Sequence, residues 1–379
     1  MYRKFCVVAA LLVANAVQPA TADDISVCRQ ATGDEAIAAC TRMLALNPKD
    51  ALAYGHRGGA YRVVGDYDRA ISDLDQAIRL DPKLAAAYSN RGLAYDAQGD
   101  HDRAISDLDE AVELSTRLLT QNPKDADAYA SRGAAYYGKR DYDRAIVDLD
   151  EAVRLDPTSA LAYDRRGAVY GNKGDYDRAI ADLDEAIRLD PKSALAYASR
   201  GAAYYGKRDY DRAISDYDEA IRLNPKSARA YASRGTAYYG KRDYDRAIAD
   251  LDEAIRLDPK SALAYASRGA AYYGKRDYDR AISDHDDAIR LNPKSALAYA
   301  SRGAAYYSKR GYDRAIADLD EAIRLDAKLA YAYATRGAAY EAKHDLDHAI
   351  ADFDQALKVD PSLAKVRESR DRVQALKGR

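Results

Sequence analysis

Apolar side chains recur along this chain at helical spacing, and the whole pattern recurs in turn. In residues 194–227, ALAYASRGAAYYGKRDYDRAISDYDEAIRLNPKS, Tyr197, Gly201 and Tyr204 stand at i, i+4 and i+7, one face of a helix. Ala213, Ile214, Tyr217, Ala220 and Ile221 give a second helical face. Asp209 is placed to cap the second helix, and Pro225, lacking an N–H, stops it. Ser227 can then cap the next first helix. A helical hairpin of this size cannot bury its own apolar face and must stack on neighbours.

The prolines set the period. Pro48 and Pro82 are 34 residues apart, and from Pro123 to Pro293 the same interval repeats through Pro157, Pro191, Pro225 and Pro259. Ala327 fills the next place and Pro361 follows 34 later. Pro82 to Pro123 is 41, so seven extra residues lie in that unit, within ELSTRLLTQNP (113–123). Seven residues are nearly two helical turns, so the second helix there is expected to be longer and to protrude, with Leu118 and Leu119 in the phase of Ala111 and Val112. A fixed period in this range marks an all-α solenoid.

Tyr197, Gly201, Tyr204, Ala213, Tyr217, Ala220 and Pro225 together resemble the tetratricopeptide repeat family. The match recurs in nine units: 51–84, 85–125 with the insertion, 126–159, 160–193, 194–227, 228–261, 262–295, 296–329 and 330–363. Residues 23–50 read as a degenerate capping repeat and 364–379 as a capping helix. The resemblance implies a right-handed superhelix of stacked antiparallel helix pairs. Its first helices would line a concave groove that receives a protein or peptide.

Two departures from the family pattern stand out. Where the family usually has Leu before the glycine, every unit here has Arg, with Asp sixteen residues on, as in Arg200–Asp216, Arg234–Asp250 and Arg268–Asp284. These are expected to be structural ion pairs joining first and second helices, the alternative being a basic stripe for an anionic ligand. In the turn, Arg140, Arg208, Arg242 and Arg276 occupy a place where Gly65, Gly99 and Gly174 follow the family. A left-handed backbone there would make Arg cost about 1 kcal/mol relative to Gly.

The segment YYGKRDYDRAI occurs four times, from Tyr136, Tyr204, Tyr238 and Tyr272. In the copy at 204–214, Asp211 and Arg212 read as solvated, and only Tyr205 lacks a structural duty. The implied groove positions are Leu195, Ala198, Ser199, Ala202, Tyr205 and Gly206. The row Tyr137, Tyr205, Tyr239, Tyr273 and Tyr307 is the candidate ligand-binding set, with packing between adjacent first helices as its alternative. Arg62, Asp96, Asp164, Arg165 and Arg229 break the monotony and are candidates for setting ligand polarity.

Composition narrows the function. Lys and Arg total 59 against 61 Asp and Glu, with signs alternating, which argues against nucleic acid. Carboxylates follow the repeat rather than forming one acid–base pair, and no phosphate-cradling loop or G-x-S-x-G is present. No cofactor or metal is expected, His344 and His348 having no third ligand in register. The start Tyr2-Arg3-Lys4, the apolar run 5–17 and Ala20-Thr21-Ala22 read as a signal peptide cleaved near Ala22. That places the chain in a periplasm or outside the cell, with no membrane span left after cleavage. Cys28 and Cys40 remain, as a disulfide or as two small buried hydrophobes. The expected function is a non-catalytic protein- or peptide-binding scaffold. The alternative is an envelope adaptor holding a polysaccharide or lipid-linked ligand on the tyrosine row, and self-association is open to near-identical units.

Overall fold

The computed structural model describes residues 22–30 and 33–378, and all their regular structure is helical. The signal-peptide run and cleavage site through Thr21 lie outside the described residues. The helices are α1 (Ala22–Gln30), α2 (Gly33–Leu46), α3 (Ala51–Val64), α4 (Tyr67–Leu80), α5 (Ala85–Ala97), α6 (His101–Gln121), α7 (Ala126–Gly138) and α8 (Tyr142–Leu155). They continue as α9 (Ala160–Asn172), α10 (Tyr176–Leu189), α11 (Ala194–Gly206), α12 (Tyr210–Leu223), α13 (Ala228–Gly240), α14 (Tyr244–Leu257) and α15 (Ala262–Gly274). The last are α16 (Tyr278–Leu291), α17 (Ala296–Ser308), α18 (Tyr312–Leu325), α19 (Ala330–Ala342), α20 (Leu346–Val359) and α21 (Ala364–Lys377). They pack as consecutive pairs, and the chain divides after Arg166 into two compact units.

Within each pair the helices cross at the glycine of the first. A Cβ on Gly201 would meet the Tyr217 ring at 2.9 Å and the Ala213 carbonyl at 3.2 Å, so no larger residue fits. The residue facing that glycine fills the core of each pair: Leu74, Leu108 and Leu149 in the first unit, then Leu183, Tyr217, Leu251, His285, Leu319 and Phe353 in the second. Second helices begin on an aspartate cap, Asp209 accepting from the Arg212 N–H at 3.2 Å. Gly311 caps α18 without a side-chain bond.

The turn between paired helices is left-handed whatever residue stands there. Gly65, Gly99 and Gly174 have φ of 82–88°, while Arg140, Arg208, Arg242, Arg276, Arg310 and His344 have φ of 59–64°. The closing bonds are the same, the Asp209 N–H donating to Tyr204 O at 2.9 Å and the Arg208 N–H to Tyr205 O at 2.8 Å. Each arginine therefore carries a strain of about 1 kcal/mol that glycine would not.

In the first unit the insertion does more than lengthen a helix. α6 has 21 residues where its counterparts have 14, but its added turns are used, with Leu114, Ser115 and Leu119 buried and Leu118 exposed. Arg91 pairs with Asp107 near the start of α6, whereas Arg132 of the following repeat bonds Thr116, nine residues further on. In an ordinary second helix these two contact points are two apart, as at Asp216 and Asp218. The next repeat has slid along α6 by seven residues, about 10 Å at the helical rise. The slide sets Gly138 against Leu93 and Leu108. The expected protrusion is instead a step in the stacking.

The chain ends use the same lattice. α2 stands where a second helix would, its Thr41 accepting from Arg57 at 3.2 Å, and Cys28 of α1 is disulfide-bonded to Cys40 of α2. At the other end α21 takes a first-helix place, with Arg370 on Asp354 at 2.9 Å, Lys377 on Asp347, and Val373 buried. Asp371 stands there where Gly337 admits a second helix in the repeat before. No helix among the described residues is long and apolar enough to cross a membrane.

Candidate protein-binding face

What a repeat offers to a partner is found by removing what the fold already uses. Arg200 sends Nε and Nη2 to Asp216 at 2.9 and 2.7 Å and Nη1 to Asp184 of the preceding repeat at 2.6 Å. All three guanidinium nitrogens are engaged, so one arginine ties three helices. Arg234 does the same with Asp250 and Asp218, and Arg268 with Asp284 and Asp252. The hydrogen bond to Asp216 raises the Arg200 pKa above its ordinary value, while burial pushes the Asp284 carboxyl up. The acids at Asp216, Asp250 and Asp284 are buried, so losing one partner would strand a charge in protein. A basic stripe open to an anion is not what these arginines form. The sixteen-residue partner was legible in sequence; the partner sixteen residues earlier was not, since it depends on how repeats stack.

A second ladder runs along the turns. Lys207 pairs with Asp177, Lys241 with Asp211 and Lys275 with Asp245, each thirty residues apart. Arg212 bonds Asp209 at 2.6 Å and lies 4.3 Å over the Tyr204 ring. Asp211 and Arg212 are exposed, as read from sequence, and each also holds an ion pair. Gly206 is not an open groove position either: a Cβ there would meet the Tyr176 ring at 2.3 Å, and Gly240 lies under Tyr210 in the same way.

The tyrosine row has packing duties too. Tyr205 tilts against Tyr210 with centroids 5.5 Å apart, Tyr239 against Tyr244 at 5.7 Å, Tyr273 against Tyr278 at 5.4 Å and Tyr307 against Tyr312 at 5.8 Å. In the first unit Tyr137 meets Tyr142 at 6.1 Å. Burial raises the phenols of Tyr205, Tyr239 and Tyr307, and the Tyr273 hydroxyl bonds Ser308 Oγ of the next repeat at 3.1 Å. Tyr205 therefore has the structural role that its sequence left unassigned, with Tyr239, at 38% exposed, the most open of the row.

The largest apolar exposure on the first helices of the second unit lies elsewhere. Leu263 is 73% exposed, Leu297 61% and Tyr331 45%, all at the repeat position of Leu195. Tyr331, crowded by surrounding protein and with Tyr273 and Tyr239 nearby, has its phenol pushed up to about 12. Arg229 occupies the same repeat position and is exposed, its charge near the Tyr217 phenol. Leu263 and Leu297 had no signal of their own in sequence, because Leu at that position is half-buried in 194–227.

In the first unit the candidate polar residues are tied to protein. Arg165 donates Nη1 to Ala130 O at 3.2 Å, and burial, with Arg62 nearby, lowers its pKa to about 10. Arg62 bonds Asn90 at 3.2 Å, Asp96 bonds His101 at 2.8 Å, and Asp164 is buried. In the second unit His344 supplies the left-handed turn and His348 bonds Asp345 at 2.7 Å. No cluster of three potential metal ligands exists among the described residues.

Models of the tetratricopeptide repeat match residues 58–99, 83–158 and 330–363, and four overlapping matches run from 165 to 330. No curated protein matches the chain. Among solved structures, the fold is similar to that in the APC/C hetero-tetramer Cut9–Hcn1, with TM-score 0.59 and 18% identity over 89% of this chain and 83% of that one. Yeast Tom70 is similar at TM-score 0.53 and 18% identity, over 90% of this chain and 85% of its own. A tetratricopeptide repeat protein from Parabacteroides merdae gives TM-score 0.54 and 20% identity, over 66% of this chain and 98% of its own. Identities this low speak to fold alone. Repeat length, helix pairing and the family matches agree, and the chain belongs to the tetratricopeptide repeat family.

Proposed function

We propose that the protein is a non-catalytic scaffold that binds a protein or peptide segment on the first-helix face of residues 167–379. The observation that carries this is the exposed apolar set Leu263, Leu297, Tyr239 and Tyr331, beside carboxylates that the ion lattices and helix caps largely occupy. Tyrosine rims with open leucines suit a partner's apolar side chains while hydroxyls accept its polar groups. A sugar chain stacked on the tyrosine row draws less support, because each ring in that row is already engaged by a second tyrosine. We place the protein in an oxidising compartment after removal of residues 1–22, a reading supported by the Cys28–Cys40 disulfide.

Capture from an envelope extract of the parent organism, comparing the parent chain with Leu263→Ser/Leu297→Ser, tests the face without disturbing the core. A protein recovered by the parent and lost by the variant supports the proposal. Equal recovery refutes it.

A further inference from the structure

The turns of the second unit hold an unexplained choice of residue. Arg208, Arg242, Arg276 and Arg310 all have φ of 62–64°, where Gly174 in the same unit meets the backbone's demand without strain. All four side chains are exposed and, among the described residues, no carboxylate is paired with any of them, although Arg208 is hydrogen-bonded to the Tyr210 hydroxyl. Their neighbours are otherwise occupied: Lys207 by Asp177, Asp209 by Arg212, Asp211 by Lys241. One uncompensated guanidinium per repeat is left on this edge. Residues 194–329 accordingly hold 25 Lys and Arg against 21 Asp and Glu, net +4 in a chain whose formal net charge is −2.

The row is also shaped. Lys241 reaches Asp211 of the preceding repeat, so successive turns stand side by side, about 10 Å apart as packed helices do. Between neighbouring turns lies a shallow recess lined by Lys241, Arg242, Asp243, Tyr244, Asp245 and Lys275, repeated one unit later around Lys275, Arg276, Asp277, Tyr278, Asp279 and Lys309, the four carboxylates being paired with Arg246, Lys275, Arg280 and Lys309. Strain kept at successive positions, in a residue fit for bidentate carboxylate binding, is a sign of use.

We propose that the turn edge formed by Arg208, Arg242, Arg276 and Arg310 docks an acidic, extended segment of a partner protein, one carboxylate to each guanidinium. An extended chain rises about 3.3 Å per residue, so a carboxylate at every third residue matches the row. Each carboxylate enters a recess between turns, where the arginine fork and the neighbouring tyrosine hydroxyl meet it. This edge is separate from the first-helix face and works whether or not that face binds anything.

The test uses the full chain and poly-L-glutamate as probe. In the variant Arg208→Gly/Arg242→Gly/Arg276→Gly/Arg310→Gly each arginine becomes the residue that sister repeats already carry, so the variant should melt at or above the parent temperature. The parent should bind poly-L-glutamate with an affinity that weakens as salt is raised, and the variant at least tenfold more weakly. Equal binding by both chains overturns the proposal. So does a parent that ignores poly-L-glutamate but binds phosphatidylglycerol vesicles or heparin through the same arginines, since the edge would then serve a lipid surface or a sugar polymer.

Discussion

His285 replaces the leucine found in neighbouring repeats, and the change has a calculable consequence. Its side chain is 1% exposed, its Nδ1 has no hydrogen-bond partner, and Gly269 of α15 packs against Cε1 and Nε2. Burial and the nearby Arg302 lower its pKa from 6.5 to about 4, Asp286 opposing weakly. A histidine whose folded pKa is depressed is neutral in both states above pH 6.5, so its contribution is intact there and is lost as pH falls towards 4. From these two values the loss between pH 7 and pH 5 is about 2 kcal/mol. His285→Leu restores the residue of Leu251 and Leu319, removes the orphaned nitrogen and should stabilise the chain by about 1–3 kcal/mol at pH 7. Hydrogen exchange of α15 and α16 amides in both chains at the two pH values is the assay, because each repeat opens largely with its neighbours. The parent should lose about 2 kcal/mol of protection that the variant keeps. Equal losses in the two chains would show that His285 does not titrate in this way and would refute the reasoning.

Other expectations follow from packing. Replacing Arg234 and Asp250 singly should cost about 3–5 kcal/mol each, because the remaining charge is stranded, and the double change should cost clearly less than the sum; additive melts would dissolve the pair. Gly240→Ala should destabilise by about 1–3 kcal/mol, its Cβ reaching 2.8 Å from the Tyr210 ring. Gly171→Ala, with ordinary contact at 3.9 Å, should instead gain about 0.5–1 kcal/mol, and denaturant melts separate the two. In α6, Leu119→Ala should cost about 2–5 kcal/mol and Leu118→Ala far less; equal small effects would mean that the added turns carry no neighbour.

The fold was largely legible because its signals are local and repeated. Prolines, glycines and aspartate caps mark most helix ends, and Arg200 with Asp216 could be paired from spacing alone. Contacts between repeats were not legible in the same way. Asp184 and Lys241 find partners only once the stacking geometry is known, and the step at α6 appears only when Arg132 is seen on Thr116. The packing of the tyrosine row was not legible because Tyr205 and Tyr210 lie on opposite sides of a turn, where helical periodicity cannot bring them together. The open leucines were hidden by the opposite fault, identical letters at 195 and 263 having different exposure.

The most direct test of the scaffold account is recovery of a partner by the parent chain and by Leu263→Ser/Leu297→Ser under identical capture, with matched melting curves. Both side chains are more than half exposed, so the substitutions should leave the helices and their stability unchanged. The account predicts a discrete protein that the parent retains and the variant releases. Retention of the same protein by both chains, at equal yield, would contradict it.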